Sequence, residues 1–250
     1  MTTTVAVAGA RGKLGSLVAR IVDDLDGFEL VASLDSSSPL SDLDGADLVV
    51  DVTAPAVSPL IVEHAIAGGS NVLVGTSGWS ARRLADLRSR LSGTDRGIVV
   101  VPNFSLGSVV ATSLAAVASR FFDSIEIVEA HRSSKVDSPS GTAVRTAELM
   151  AAARSANGPV EAPHIDQRAR GQQVSSIPIH SMRLRGVIAR QDVVFGGDGE
   201  ALTITHETIE PGEAYDAGIR LALPAARDAR GLVVGLERLI DLGIALPEAE

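Results

Sequence analysis

The chain has 250 residues, of which 45% are hydrophobic and 21% charged, a composition that excludes a disordered or fibrous protein. The formal net charge of -9, with no long run of Lys or Arg, argues against nucleic acid as a partner. Cysteine is absent, which excludes disulfides and thiolate chemistry. The sequence shows neither a signal peptide nor an apolar run near the ~20 residues of a membrane span, so we expect a cytoplasmic protein with no membrane partner.

Short apolar runs alternate with amphipathic stretches from the start to about residue 128. The apolar runs predict strands at residues 3–9, 28–33, 46–53, 71–75 and 97–102. The amphipathic stretches predict helices near residues 13–25, 57–68, 80–92 and 105–121. Near-continuous runs of Val and Leu are typical of strands that helices bury on both faces. We therefore predict an α/β domain with a doubly wound parallel sheet over residues 1–128.

The pattern changes after a helix predicted at about 140–156. Residues 157–173 are polar and contain Gly and Pro, which indicates a loop. The segments VSSIPIHSMRL, ARQDVVFGG and EALTITHET then alternate as antiparallel strands do, with a hairpin turn at GGDGE. Further helices are predicted at 212–228, where Pro224 should kink or end the helix, and at 232–242. These patterns predict a second, α+β domain over residues 129–211 and C-terminal helices, about 212–250, that pack back on the first domain.

Glycines follow the first predicted strand directly, in the segment VAVAGARGKLG. Gly9, Gly12 and Gly15 would allow a tight turn and a close approach of backbone N–H groups to a pyrophosphate at the positive end of the next helix. The GxxGxxG spacing also occurs where a helix simply packs closely on a sheet. Asp35, however, ends the second strand, about where a carboxylate meets an adenosine ribose. The sequence therefore predicts a dinucleotide-binding domain.

Both nicotinamide cofactors fit this turn. Asp35 favours NADH because a carboxylate accepts a hydrogen bond from the ribose 2′-hydroxyl. Arg11 and Lys13 would instead neutralise the 2′-phosphate of NADPH, so we expect both cofactors to be used, with NADH at least tolerated. Three further strand ends, DVTAP, GTSG and VPNFSLG, carry small or polar residues where the nicotinamide would lie. Ordinary turns between a strand and a helix look similar.

A second polar segment, AHRSSKVDSPSGTA, follows a strand predicted at 124–130 and precedes a helix. Free N–H groups of Gly141 and Thr142 at the helix start would hold a carboxylate, and Lys135 would add positive charge. Histidine is the side chain suited to proton transfer near neutral pH, which makes His131 a candidate acid. A plain surface loop is the alternative. The His and carboxylate residues show no metal-ligand spacing, so we expect no metal.

The chain resembles the dihydrodipicolinate reductases, or 4-hydroxy-tetrahydrodipicolinate reductases, of the diaminopimelate route to lysine. The similar motifs are VAVAGARGKLG, DVTAP, GTSG, VPNFSLG, EAHRSSKVDSPSGTA, IHSMRLRG, VVFGGDGEALTITHE and GLVVGLERLI, which run through nearly the whole chain. The most specific family pattern is E(A/L)HHxxKxDAPSGTA. This sequence matches it at Glu129, His131, Lys135, Asp137, Pro139, Ser140, Gly141, Thr142 and Ala143.

The resemblance implies a Rossmann-like domain joined to a mixed-sheet domain that binds substrate and also builds a homotetramer. It implies hydride transfer from NADH or NADPH to C4 of a cyclic dicarboxylate with loss of water. Cofactor contacts are then expected at Gly9, Ala10, Arg11, Gly12, Lys13, Leu14, Asp35, Gly75, Thr76, Ser77, Val101, Pro102, Asn103 and Phe104. His131 and Lys135 correspond to the acid/base pair, and Ser140, Gly141 and Thr142 to substrate contacts.

One departure from the family pattern matters: Arg132 stands where the family has its second consecutive His. Arginine brings a permanent charge and a planar fork that suits a carboxylate, so we predict that Arg132 contacts the substrate. A reductase of a related substrate, or a nucleotide-binding regulatory homologue without turnover, is the alternative. The retention of both His131 and Lys135 favours the enzyme. For Arg183 and Arg185, a role facing the substrate and a role at the surface or a subunit contact are both open.

Overall fold

The computed structural model describes residues 2–243 and contains two compact units. In chain order its strands and helices are β1 (Thr3–Ala8), α1 (Lys13–Asp24), β2 (Phe28–Leu34), β3 (Leu48–Asp51), α2 (Ser58–Ala67), β4 (Asn71–Val74), α3 (Ala81–Leu91), β5 (Gly97–Val100), α4 (Leu106–Ala118), β6 (Ser124–Arg132), α5 (Gly141–Ala153), β7 (Gln172–Val174), β8 (Ile177–Leu184), β9 (Ala189–Gly197), β10 (Glu200–Thr208), α6 (Pro211–Asp228) and β11 (Gly231–Val234). Short 3₁₀ turns occur at Leu40–Leu43, Ser155–Asn157, Arg168–Arg170 and Leu236–Leu239.

The first unit is built on a six-stranded sheet in the order β11-β5-β4-β3-β1-β2. Every pairing in this sheet is parallel. All residues of β3, β4 and β5 are buried, which explains why these strands are continuous runs of apolar side chains rather than alternating ones. The predicted doubly wound α/β fold is confirmed.

One prediction for the C-terminal part was wrong. A helix was expected at 232–242, but Gly231–Val234 forms β11 beside β5 and a 3₁₀ turn follows. Gly231 and Gly235 bracket the strand with positive φ angles of 71° and 99°, which break any helix there. Of the two outcomes expected at Pro224, an end of the helix does not occur, since α6 continues to Asp228, and a kink stays a prediction. Buried residues on both sides of the proline, such as Ile219 and Ala226, hold that helix in place by packing.

The second unit contains a five-stranded mixed sheet in the order β10-β9-β6-β8-β7. β6 and β8 pair in parallel, whereas the other neighbours are antiparallel. The predicted hairpin at GGDGE joins β9 to β10, with Gly197 opposite Glu200. Ile127, Phe195 and Met150 are fully or almost fully buried in the core of this unit, which includes side chains of α4 and α5. The predicted mixed-sheet domain is confirmed.

The two units divide the chain at Leu106, earlier than the boundary predicted at residue 128. Ala115 and Ala118 of α4 pack with the core of the mixed sheet, which places this helix in the second unit, Gly107–Pro211. Gly212–Ile240 belongs to the first unit again. Residues 244–250, part of the predicted C-terminal return, lie outside the described residues. Between residues 2 and 243, no helix is long and apolar enough to cross a membrane.

Candidate active site

The glycine turn between β1 and α1 is closely packed. Gly9 has a φ angle of 89°, and a Cβ atom there would lie 2.7 Å from the carbonyl oxygen of Val52, at the end of β3. A Cβ atom at Gly15 would overlap the carbonyl group of Gly9. Gly12 caps α1 without a side-chain hydrogen bond, and the N–H groups of the first three helical residues, Lys13 to Gly15, have no acceptor within the helix. The turn therefore presents backbone donors at the positive end of α1.

Asp35 directly follows β2 and pairs with Arg11 of the glycine turn, with 2.8 Å between Oδ2 and Nη1. Its other oxygen, Oδ1, accepts hydrogen bonds from the backbone N–H of Ser37 at 2.8 Å and from the Ser37 hydroxyl at 2.6 Å. The bonds from Ser37 hold the pKa of Asp35 below its usual range, so the carboxylate is ionised at neutral pH. The groups predicted to meet the ribose and a 2′-phosphate thus form one ion pair.

The predicted nicotinamide wall lies where β4 and β5 end. The Gly75 N–H donates to the Asp51 carbonyl at 2.8 Å, and a Cβ atom at Gly75 would lie 2.6 Å from the ring of Phe104. Thr76, Val101 and Phe104 are buried and shape this edge, whereas Ser77 and Pro102 are exposed. Asn103 is half-buried, and its side-chain oxygen accepts the Ser105 N–H at 2.9 Å. Because all these strands are parallel, their ends share the sheet edge at which β1 and β3 end.

A buried carboxylate that the sequence did not single out supports this edge. Asp51 is 0% exposed at the end of β3 and accepts hydrogen bonds from Thr53, with 2.6 Å to the Thr53 hydroxyl. It also accepts a hydrogen bond from the hydroxyl of Ser58, which in turn accepts the Trp79 indole N–H at 3.1 Å. The DVTAP segment is therefore held from both sides, by the start of α2 and by the loop after β4.

In the second unit, His131 lies on β6 rather than on the loop expected from its polar neighbours. Its Nδ1 atom lies 2.6 Å from Oε2 of Glu129, which is 0% exposed. Arg183 on β8 holds the same carboxylate with both terminal nitrogens, each at 2.9 Å. Burial raises the pKa of Glu129, but hydrogen bonds from Arg183, Ser181 and His131 outweigh burial and leave that pKa below its usual range. The second-unit site is thus built around the buried, ionised carboxylate of Glu129.

The loop after β6 leads from His131 to the start of α5. The Lys135 ammonium lies 2.8 Å from a carboxylate oxygen of Asp137, and this hydrogen bond lowers the pKa of Asp137. The Asp137 carbonyl accepts from Arg183 at 2.6 Å, and the Ser140 N–H donates to Glu129 at 3.2 Å. Glu129 and Arg183 therefore fasten both ends of the segment that carries Lys135.

Helix α5 begins as the sequence predicted. The Ser140 hydroxyl accepts the N–H of Ala143 at 3.2 Å and caps the helix. The N–H groups of Gly141 and Thr142, in the first turn, have no acceptor within the helix, which suits them to an anion. Arg132 is not brought to this cluster. Alternation along β6 places it beside Ala130, on the face opposite His131, where it is exposed.

In the second unit, Glu129 and Arg183 are the residues whose roles sequence reasoning missed. Glu129 was visible only as a motif match. The alternation of Ile125, Ile127, Glu129 and His131 along one strand would have placed Glu129 and His131 on one buried face. The position of Arg183 opposite His131 comes from the pairing of β6 with β8, which no local pattern reveals. Among the described residues, no group of three His, Asp or Glu side chains could hold a metal ion.

A parallel sheet with a glycine turn at the start of its first helix and a carboxylate at the end of its second strand is typical of the class of dinucleotide-binding proteins. Two family models, described as the N-terminus and the C-terminus of dihydrodipicolinate reductase, match residues 3–104 and 107–240. The chain belongs to the dihydrodipicolinate reductase family, whose members use NADH or NADPH. The resemblance read from the motifs is confirmed.

Individual relatives agree with the family. A protein of Clavibacter sepedonicus named 4-hydroxy-tetrahydrodipicolinate reductase is 65% identical over 97% of this chain and 87% of its own length. A protein of the same name from Streptomyces griseus is 42% identical over 95% of this chain and 98% of its own length. The structure of dipicolinate-bound dihydrodipicolinate reductase from Paenisporosarcina sp. TG-14 has a TM-score of 0.80 at 29% identity, covering 96% of this chain and 100% of that one. GenD2 from gentamicin A biosynthesis, in complex with NAD, shares the fold alone, with a TM-score of 0.64 at 15% identity.

Proposed function

We propose that this protein is a 4-hydroxy-tetrahydrodipicolinate reductase of lysine biosynthesis. The observation that carries the proposal is the 65% identity, over 97% of the chain, to a protein of that name. The net reaction replaces the C4 hydroxyl of a cyclic dicarboxylate with hydrogen. It takes up one hydride and one proton, and the hydroxyl leaves as water. The protein therefore needs a cofactor site, an anion site and a proton donor.

The first unit supplies the residues that would hold the cofactor. The backbone N–H groups of Lys13 and Leu14 suit the pyrophosphate, because they lie at the positive end of α1 and have no acceptor within the helix. Asp35 would accept from a ribose hydroxyl, and Arg11 with Lys13 would balance a 2′-phosphate. When bound, the nicotinamide supplies the hydride. The tight contacts at Gly9 and Gly15 fit this role, since side chains there would fill the turn.

The second unit supplies the substrate residues. We assign one substrate carboxylate to the N–H groups of Gly141 and Thr142 beside the Ser140 cap, with the ammonium of Lys135 adding charge. His131 is assigned as the proton donor. A direct contact between Arg132 and the substrate stays a prediction, and the exposure of Arg132 on the opposite face of β6 does not favour it.

The test is an assay with the condensation product of pyruvate and aspartate semialdehyde, in which the absorbance of the reduced cofactor is followed. We expect oxidation of both NADH and NADPH, because Asp35 and Arg11 are both present at the ribose position. A strong preference for NADPH in initial rates would refute the dual use. Tight cofactor binding without any turnover would instead support the regulatory homologue and overturn the reductase.

We also propose that the enzyme is a cytoplasmic homotetramer assembled through its second unit. Met182, Leu184 and Val194 support this assembly, because they are apolar and between 37% and 46% exposed. Strand register places Met182 and Val194 on the sheet face opposite His131, and alternation adds Leu184 to it. The cytoplasm is where reduced nicotinamide cofactors are available to a biosynthetic reductase.

A further inference from the structure

Glu129 is a buried carboxylate that connects the proton donor to the rest of the second-unit site. Its Oε2 atom faces Nδ1 of His131 at 2.6 Å, and its Oε1 atom accepts the Ser140 N–H at 3.2 Å. Arg183 bonds to both oxygens. An ionised carboxylate only accepts hydrogen bonds, so the nitrogen of His131 that faces it must carry a hydrogen. The surroundings of Glu129 therefore decide the tautomer of His131.

We propose that Glu129, with Arg183 as its counter-charge, is a positioning residue that fixes His131 with a hydrogen on Nδ1 and so leaves Nε2 as the nitrogen that gives the proton to the substrate. The inference deepens the proposed function and rests on it for the identity of the proton acceptor. The assignment of the tautomer rests on the geometry of Glu129 alone.

Arg183 has a necessary part in this arrangement. A carboxylate that is 0% exposed is stable only when a partner compensates its charge. The guanidinium of Arg183 provides that compensation with two parallel hydrogen bonds, a geometry that lysine cannot reproduce. Arg183 also donates to the Asp137 carbonyl at 2.6 Å, so the counter-charge is tied to the Lys135 loop as well.

The proton balance explains why the tautomer matters. In the protonated ring both nitrogens carry hydrogen. As the proton passes to the substrate, the Nε2–H bond breaks, its electron pair stays on Nε2, and the neutral ring keeps the Nδ1–H bond to Glu129. The neutral ring can take up its next proton on Nε2 only when its own hydrogen is on Nδ1, because in the Nε2–H tautomer the free lone pair lies on Nδ1, which faces residue 129 and not the substrate. The wrong tautomer therefore stops proton transfer without removing the histidine.

Glu129→Gln tests the proposal with little change in shape. The amide oxygen would still accept from Ser140 and from one nitrogen of Arg183, while the amide nitrogen would face Nδ1 of His131 and force that atom to act as the acceptor. We expect neutral His131 to shift to the Nε2–H tautomer. We also expect kcat to fall by roughly 100-fold, the lower end of what a positioned acid supplies, with KM near the wild-type value because Gly141 and Thr142 keep their places.

The tautomer is read by solid-state NMR of enzyme labelled with ¹³C,¹⁵N-histidine, which is tractable because the chain has five histidines. The spectrum of His131→Gln assigns the signal. Glu126→Gln is the matched control. Glu126 lies on the same strand but the other sheet face and also pairs with an arginine and a histidine, Arg170 and His180. We expect this control to keep the Nδ1–H tautomer of His131 and the wild-type kcat.

The readouts separate the two proposals. Glu129→Gln could fail to fold because Arg183 loses its counter-charge. In that case the double variant Glu129→Gln with Arg183→Met, which lacks the unpaired guanidinium, is measured in the same way. A wild-type spectrum with neutral His131 as the Nε2–H tautomer would overturn the positioning role, whatever the activity. An unchanged tautomer and kcat in a folded Glu129 variant would do the same. A wild-type enzyme that shows the Nδ1–H tautomer but reduces no substrate would overturn the proposed function and leave the tautomer assignment standing.

Discussion

Lys135 lies in the loop between β6 and α5, where its ammonium pairs with Asp137 at 2.8 Å and its side chain is 23% exposed. We expect Lys135→Ala to lower kcat by about 100-fold or more, because a positioned charge that assists proton transfer is worth at least that much. Cofactor affinity should barely change, since every proposed cofactor residue belongs to the other unit. Steady-state rates and a fluorescence titration with NADH measure the two quantities.

Asp137→Asn provides the control for Lys135. This substitution removes the partner of the ammonium but leaves the ammonium itself, and an ion pair with a solvent-exposed carboxylate contributes little free energy. Most of the activity should therefore remain. Unchanged turnover in Lys135→Ala would remove Lys135 from the mechanism, and equal losses in both variants would assign the effect to the ion pair instead.

Residue identity alone predicted much of the second-unit cluster but not how it is held together. His131, Lys135 and Ser140 stand out because their residue types carry protons and charge next to a helix start. Arg183 does not stand out, since an arginine on a strand looks the same whether it faces solvent or a buried carboxylate. Its partner Glu129 lies 54 positions away, and only strand pairing brings the two together. Side chains joined across a sheet escape local sequence reasoning for this reason.

Among the secondary-structure elements, the early strands were predictable because burial on both faces makes them almost uniformly apolar, as in the LVVD of β3. The same argument failed for β11. The apolar residues of GLVVGLERLI also fit a helix. A run of four residues is too short to distinguish the side-chain period of a strand from that of a helix. The pairing of β11 with β5, far away in the sequence, decides the matter.

The turn between β1 and α1 gives a prediction about stability. Alanine at Gly9 would have to adopt a φ angle of 89° with its Cβ atom 2.7 Å from the Val52 carbonyl oxygen. The backbone conformation alone costs about 1–2 kcal/mol, and the contact adds to that cost. We expect Gly9→Ala to lower the free energy of unfolding by about 2 kcal/mol or more, as measured by urea denaturation without cofactor.

Gly12→Ala is the matched control for this turn. Gly12 has a φ angle of -71°, which alanine adopts freely, and the nearest atom to an added Cβ is the Gly9 carbonyl oxygen at 3.3 Å. The free energy of unfolding should change by less than about 1 kcal/mol. If both alanines destabilise the protein equally, the conformation of Gly9 is not what the turn depends on.

For the whole molecule, the sequence predicted both sheets but not the point at which the units divide. The helix α4 is rich in Ala and Val along its length, so its composition does not show which sheet it packs against. Its contact with the mixed-sheet core, through Ala115, settles the division at Leu106. The two family models meet at the same place, since one ends at residue 104 and the other begins at 107.

The proposed tetramer gives the prediction for the whole molecule. Half-exposed apolar side chains on one sheet face are costly in water and favour burial against another copy of the chain. We expect the wild-type protein to have the mass of four chains by light scattering. The double variant Met182→Asp with Leu184→Asp should have a smaller mass, because aspartates on a buried contact are strongly unfavourable.

Val31→Asp is the control, since Val31 is 50% exposed on β2 of the other unit and its substitution should leave the mass unchanged. A monomeric wild type would overturn the tetramer. A double variant that keeps the full mass would move the subunit contact away from this face.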